Sequence, residues 1–256
     1  MTRHVGLESP LPETLQQTLR TANNVVVLTG AGISAESGVP TFRDAQTGMW
    51  ARHEPMDLAT PDGFRRNPAL VWEWYQWRRR LVAESRPNAG HLALAEMGSH
   101  FPKWSLITQN VDGLHQRAGS SDVIELHGNL ERNVCSQTAR LIDPAWIARH
   151  ADQAPPPSPH HRHGLARPGV VWFGEMLNQD TLESAFAAAE ACDLCLVAGT
   201  SGVVQPAASI PVQARQAGAT VVEINPEQTA LSTQVHWHLN GTAAAWLPRL
   251  LQALNE

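Results

Sequence analysis

Apolar positions in this chain gather first into continuous runs, Val25 to Thr29, Leu194 to Gly199 and Thr220 to Asn225, each ending in glycine or polar residues. Runs without alternation suit strands covered on both faces, and in such parallel sheets ligands bind beyond the carboxyl ends of the strands. Between them the spacing turns helical, over Glu13 to Thr21, Asn178 to Ala191 and Pro206 to Gly218, the last opening on proline and closing on glycine. The alternation predicts a doubly wound α/β core.

Two stretches break this rhythm. The first, ending near Ser105, has its clearest helix from Asn67-Pro68 through Arg80 and carries Trp72, Trp74, Tyr75 and Trp77. The second, Asn129 to Pro168, contains Pro155-Pro-Pro-Ser-Pro-His-His-Arg-His163, which proline excludes from a central strand or helix. Both are expected to build a small domain, from residues 44–104 and 129–168, facing a larger one built from 12–43, 105–128 and 169–254 within a single unit spanning 1–256. No internal repeats or heptads are visible.

After the first apolar run comes Gly30-Ala-Gly-Ile-Ser-Ala-Glu-Ser-Gly-Val-Pro-Thr-Phe-Arg43. Gly30, Gly32 and Ala35 fit the spacing that lets a pyrophosphate sit against a helix N-terminus, where larger side chains would hold the phosphates off the amides. Glycines so spaced also make ordinary strand-to-helix turns.

Composition narrows the picture. At 256 residues with only Cys135, Cys192 and Cys195, the chain is long enough to bury a core without a disulfide framework, so a reducing, cytoplasmic setting is expected. The first ten residues lack the apolar stretch of a signal peptide, and no window approaches the ~20 apolar residues of a membrane span. A net charge of −5 and a pI of 6.2 give no basis for binding nucleic acid or anionic lipid.

Further polar signatures follow: Thr108-Gln-Asn-Val-Asp-Gly-Leu-His115, Glu125-Leu-His-Gly128, Gly199-Thr-Ser-Gly-Val203 and Glu223-Ile-Asn-Pro-Glu227. In this order and spacing the chain resembles a sirtuin from about Thr14 to Leu251, departing clearly only in the second insert. The resemblance implies a Rossmann-like large domain with a small domain formed from a helical and a zinc-ribbon-like insert. It also implies an enzyme that consumes NAD to remove acyl groups from protein lysines, releasing nicotinamide and O-acyl-ADP-ribose. Acylated lysine proteins would be its partners.

By that resemblance His127 is the general base that activates a ribose hydroxyl, with Asn110 and Asp112 completing the catalytic set. An unperturbed histidine pKa of about 6.5 leaves neutral imidazole available near pH 7. Gln109, Asn110 and Asp112 would position the nicotinamide half, although Asn110 and Asp112 also suit an Asx turn. Gly30, Ala31, Gly32, Ser34, Ala35, Thr41, Phe42 and Arg43 would line the dinucleotide site, with Gly199, Thr200, Ser201, Asn225, Glu227 and Ala243 toward the adenosine. Phe42 is suited to shielding an oxocarbenium-like centre, or to a place in the core; Asn225-Pro226 also makes a turn. Val171, Trp172, Phe173 and Gly174 would pair with the substrate backbone. Two other readings share the motifs: protein mono-ADP-ribosyl transfer and a non-catalytic NAD-binding module.

Tyr75 stands three residues before Arg78, so the two project from one helical face, where a phenol and a guanidinium are suited to grip a carboxylate. With Ala59 before them they resemble the class III sirtuins, which read succinyl and malonyl groups. The same residues also fit an amphipathic helix with a solvated arginine run. Sirtuins commonly hold zinc through two C-x-x-C pairs in the second insert, whereas here only Cys135 remains, Thr138 replaces its partner, and His160 and His163 stand near the other pair. Zinc is therefore doubtful, with the histidines a solvated loop and an apolar patch of Leu141, Ile142, Trp146 and Ile147 ordering the insert instead.

Overall fold

The computed structural model describes residues 2–40 and 54–256. Seven parallel strands, numbered along the chain, lie in the spatial order β1 (Arg3–Gly6), β10 (Trp237–Asn240), β9 (Thr220–Asn225), β8 (Leu194–Ala198), β2 (Asn24–Thr29), β3 (Lys103–Thr108) and β4 (Ile124–Glu125). The chain winds outward from β2 through β3 to β4, then returns to the other side of β2 and winds through β8, β9 and β10. At that reversal the connections leaving β2 and β8 diverge, opening a crevice at the carboxyl ends of the two strands.

The continuous apolar runs are explained by burial on both faces. Val25 and Val27 join one core with Leu15 and Leu19 of α1 (Glu13–Thr21) and Trp246, Leu247 and Leu250 of α10 (Ala243–Asn255). Val26 and Leu28 join another with Ala185 and Ala189 of α8 (Gln179–Ala191) and Ile210 and Ala214 of α9 (Ile210–Gln216). Each such large side chain contributes about 1.5–3 kcal/mol on burial, so the sheet is fixed from both sides before any loop is placed. Cys192 and Cys195 are buried there as small apolar side chains.

The small domain packs α2 (Pro55–Leu58), α3 (Pro61–Arg66) and α4 (Pro68–Glu84) against an antiparallel sheet of β6 (Leu141–Ile142), β5 (Gly128–Cys135) and β7 (Ala166–Val170). Helix α4 begins where the sequence indicates: the Asn67 side chain accepts from the Leu70 amide at 3.1 Å, and Pro68 occupies the first turn, where a missing N–H costs nothing. One face of α4 buries Val71, Trp74 and Tyr75 against Leu58, Phe64, Leu130, Val170 and Trp172.

Some expectations need correcting. The helix α5 (Ala89–Met97), placed by sequence in the small domain, belongs to the large one, where Leu94 and Met97 share a core with Leu15 and Trp246. The stretch expected as one helix from Pro206 to Gly218 is a 3-10 turn at Ala207–Ser209 followed by α9, with Pro211 in the first turn because it has no amide to continue the preceding turn. Leu141 is 63 % exposed and does not join the apolar patch formed by Ile142, Trp146 and Ile147. Among the described residues, no helix is long and apolar enough to cross a membrane.

Candidate functional site

A cavity of about 990 Å³ opens at the crevice between the carboxyl ends of β2 and β8 and runs under the small domain. It brings together nearly every described residue singled out by sequence: Gly30, Ala31, Gly32, Ser34, Ala35, Ala59, Tyr75, Arg78, Gln109, Asn110, Asp112 and His127 line it. So do Val171, Trp172, Phe173, Gly174, Gly199, Thr200, Ser201, Asn225, Glu227 and Ala243. Thr41, Phe42 and Arg43 lie outside the described residues.

The glycine loop is built differently from the helix N-terminus its spacing suggested. After β2 the chain makes 3-10 turns at Ala31–Ile33 and Ala35–Ser37, and among the described residues no α-helix follows them directly. The Gly30 amide donates to the Ala198 carbonyl at 3.0 Å and the Gly32 amide to the Gly199 carbonyl at 2.8 Å, so this loop is sewn to the one after β8. A Cβ on Gly30 would stand 2.8 Å from the Gly199 oxygen, and one on Gly32 2.8 Å from the Gly199 Cα. Gly199 has φ +65° and would drive its own Cβ to 2.4 Å from the Ile33 nitrogen. The glycines thus serve first to bring two loops together, and the exposed backbone of that seam is a cradle free of side chains, suited to a pyrophosphate.

Polar side chains converge on the cradle from the loop after β3. Asn110 Nδ2 donates to the Gly30 carbonyl at 3.1 Å and to Ser34 Oγ at 3.2 Å. Ser34 Oγ donates to Asp112 Oδ2 at 2.7 Å, and the Leu114 amide to Oδ1 at 2.9 Å. Burial pushes the Asp112 carboxyl up from its ordinary range, against the pull of those two donors. Gln109 Nε2 reaches across to Thr200 Oγ1 at 2.9 Å, and Asn225 Nδ2 donates to the Thr200 carbonyl at 3.0 Å, which fixes the far end of the cleft. Ala243 opens α10, whose cap is the Thr242 side chain, so a helix N-terminus faces the same end.

His127 follows the buried Leu126 and is half-buried at the cavity wall. Its Nδ1 lies 3.0 Å from the Gln109 carbonyl, an acceptor only, so Nδ1 carries the proton and Nε2 keeps a lone pair in the neutral ring. Burial lowers its pKa, partly offset by that hydrogen bond, and keeps the ring neutral near pH 7. A neutral imidazole of fixed tautomer beside a polar cavity is a competent general base.

The opposite wall comes from the small domain. Tyr75 is buried, and its hydroxyl accepts a hydrogen bond from Trp172 Nε1 at 2.9 Å. The half-buried Arg78 guanidinium lies over the Trp74 ring at 5.0 Å and the Tyr75 ring at 5.8 Å. Burial lowers the Arg78 pKa and raises that of Tyr75, and among the described residues no carboxylate is ion-paired with Arg78. In the adjoining strap the Val171 amide donates to the His127 carbonyl at 2.9 Å and the Phe173 amide to the Ala59 carbonyl at 3.0 Å, tying the two walls together.

The residues considered for a metal do not assemble. Among the described residues, no group of three or more His, Cys, Asp or Glu side chains is placed to hold an ion. His160 Nε2 is spent on the Leu141 carbonyl at 2.6 Å, and His163 is exposed. The side chains facing Cys135 are Thr138 and Ser158, whose hydroxyls, with the Gln137 and Thr138 amides, bring the thiol below its ordinary range against the opposing effect of burial. Hydroxyls are poor partners for zinc, so this donor set does not fit the ion.

Sequence reasoning missed the support behind the walls. Arg167 and Glu175 form a bidentate pair at 2.6 and 2.9 Å beneath Trp172; an acidic residue straight after Phe173-Gly174 was the available signal. His91 and His115 lie buried behind Ser34 and Thr29, held neutral by burial at pKa values of about 4 and about 3. Single histidines on helices carry no comparable signal.

Comparison with known proteins places these features in context. The Sir2 family profile matches residues 30–206. An NAD-dependent protein deacylase of Aquifex aeolicus is 48 % identical over 237 residues, 91 % of this chain and 96 % of that protein. One from Methylococcus capsulatus is 46 % identical, over 94 % and 96 %. The crystal structure of a Sir2 homolog–NAD complex superposes with a TM-score of 0.88 at 41 % identity, covering 99 % of this chain and 97 % of that one. A Sir2–p53 peptide–NAD+ complex gives 0.82 at 30 %, over 94 % and 97 %.

Proposed function

The chain belongs to the Sir2 family and is an NAD-dependent protein lysine deacylase; from that premise we propose that it removes the acidic acyl groups succinyl and malonyl as well as acetyl. The dinucleotide, when bound, supplies a ribose carbon that exchanges nicotinamide for the acyl oxygen. The glycine seam of Gly30, Gly32 and Gly199, with Thr200, Ser201 and Asn225, holds its phosphate and adenosine half. Gln109, Asn110 and Asp112 orient the nicotinamide half. His127 takes a ribose hydroxyl proton on Nε2, because Nδ1 is already committed to the Gln109 carbonyl.

The observation that carries the acyl reading is the Tyr75–Arg78 pair on the small-domain wall. Both line the cavity that His127 lines, and the arginine has no ion-paired carboxylate among the described residues. The Asp112 carboxylate attracts this partly buried cation without contacting it, and a carboxylate on the acyl chain would give it a contact partner with charge-assisted hydrogen bonds. Acetyl groups leave the pair unused but meet the same base. The test is kinetics on peptides differing only in acetyl or succinyl lysine, using the native chain and Arg78→Met. A succinyl-to-acetyl ratio of kcat/KM that survives the substitution removes Arg78 from the reading. Mass spectrometry of the products should show O-acyl-ADP-ribose; ADP-ribosylated peptide instead would support transfer, and no nicotinamide release would support binding alone.

A further inference from the structure

We propose that Trp172 is a positioning residue for acyl selectivity: its indole N–H occupies an acceptor site of the Tyr75 hydroxyl and so turns the phenolic proton into the cavity as a standing donor for an acidic acyl group. The inference rests on the Tyr75–Arg78 reading above and deepens it.

A phenol has one hydrogen to give and lone pairs to receive with. Trp172 Nε1 lies 2.9 Å from the Tyr75 oxygen, and indole nitrogen only donates, so Tyr75 is the acceptor in that bond. The Arg78 guanidinium, also purely a donor, lies beside the same hydroxyl. With donors on two sides, the hydroxyl hydrogen is given to no acceptor among the described residues and faces the cavity that Tyr75 and Arg78 both line. Burial raises the Tyr75 pKa, so that hydrogen stays in place across the working pH range. The result is a phenol and a guanidinium presenting donors side by side on one wall of the cavity, which suits a carboxylate and suits a methyl group less.

The indole is itself held. The Arg167 guanidinium carbon sits 3.4 Å from the centroid of the Trp172 ring, and a cation on that face strengthens the N–H as a donor. Arg167 is fixed by both oxygens of Glu175, at 2.6 and 2.9 Å, and by the Val170 carbonyl at 2.8 Å. Glu175 also accepts from the Trp172 main-chain amide at 2.9 Å, so backbone and ring of Trp172 are anchored to one carboxylate. Four side chains in series, Glu175, Arg167, Trp172 and Tyr75, aim a single proton.

The test is a double-mutant cycle of Trp172→Phe with Tyr75→Phe, read on succinyl, acetyl and neutral succinamyl peptides. Trp172→Phe keeps an aromatic ring and removes the donor. The expected result is a fall of about tenfold in the succinyl-to-succinamyl ratio of kcat/KM, about one charge-assisted hydrogen bond's worth, expressed in KM because the carboxylate is remote from the reacting carbon. In the Tyr75→Phe background the same change should shift that ratio less than twofold. Glu175→Gln, which loosens Arg167, should move it in the same direction by a smaller factor and decides the matter should Trp172→Phe not fold. A ratio moved by Tyr75→Phe but by neither Trp172→Phe nor Glu175→Gln overturns the role of Trp172. Equal loss of kcat on all the peptides would likewise overturn it, by showing a merely structural role. If Tyr75→Phe and Arg78→Met both leave the ratio alone, the acidic-acyl reading itself falls.

Discussion

The two walls of the cleft are held by different kinds of bond. At its glycine seam the sheet wall is main chain against main chain, with the Gly32 amide on the Gly199 carbonyl at 2.8 Å and the Gly30 amide on Ala198 at 3.0 Å. The small-domain wall is side chain against side chain, Trp172 on Tyr75 and Arg167 over Trp172. Backbone contacts admit almost no substitution, because any added atom collides. Side-chain contacts are exchanged one residue at a time. Reaction and selectivity can therefore change separately: the proposed base and dinucleotide cradle belong to the rigid wall, the proposed acyl reader to the replaceable one.

The largest expected effect strikes the rigid wall at His127, its proposed general base. His127→Ala should lower kcat for every acyl peptide by about 10²–10⁴-fold, the usual worth of a general base, leaving the acetyl-to-succinyl ratio nearly untouched. Its pH profile sharpens the point. Burial lowers the folded pKa of His127, and the neutral ring is the active form, so activity should be full above the ordinary histidine value and fall as pH drops through a lower one. An acid limb at or above pH 6.5 in kcat/KM would contradict that environment.

The second effect falls on the replaceable wall and should show the opposite pattern. Arg78→Met is expected to lower kcat/KM for succinyl peptides by roughly 10²-fold, as for loss of a charge-assisted pair in a dry site, with acetyl peptides changed far less. A comparable loss on both substrates would merge the two walls into one. Next comes Gly199→Ala, which places a Cβ 2.4 Å from the Ile33 nitrogen in a residue with φ +65°. A destabilisation of about 1–3 kcal/mol in urea titration is expected, with a raised KM for NAD as the loops part.

The rigid wall was the more legible in the sequence, for a physical reason. Val25 to Thr29 and Thr220 to Asn225 are buried on both faces and therefore leave unbroken apolar runs, and the strands they form end at the polar motifs that line the cleft. The short strands at one side of the sheet, Arg3–Gly6 at its edge and Trp237–Asn240 next to it, mix histidine, arginine and asparagine with apolar residues and gave no such run. The function of the glycines was only half visible: spacing marks a tight turn, but that Gly30 and Gly32 press on Gly199, more than 150 residues away, is a tertiary fact. Likewise the Tyr75–Arg78 pair follows from helical periodicity, whereas the Trp172 indole beneath Tyr75 comes from a strap 97 positions on. The helix Ala89–Met97 was assigned to the wrong domain because an apolar face does not say which core it meets.

The smallest expected effect concerns the insert that flanks the replaceable wall. Cys135 stands in a nest of hydroxyl and amide donors, and Ile142, Trp146 and Ile147 pack beside it with Ala166 and Trp72. Order in this region therefore comes from apolar burial and ordinary hydrogen bonds. A serine oxygen can accept from the same donors, so Cys135→Ser should cost about 1 kcal/mol or less, a Tm decrease of about 2–4 °C for a chain of this size. Excess chelator should leave Tm and the succinyl-to-acetyl ratio unchanged, and elemental analysis of protein prepared without a histidine tag should find no stoichiometric zinc. A bound structural zinc would contribute about 10–16 kcal/mol, so its removal would collapse the insert and carry Trp72 and helix Pro68–Glu84 with it. The two possibilities thus differ by an order of magnitude in stability, and a chelator-induced loss of acyl selectivity would show that a metal, not the hydrogen-bonded nest, holds the second wall in place.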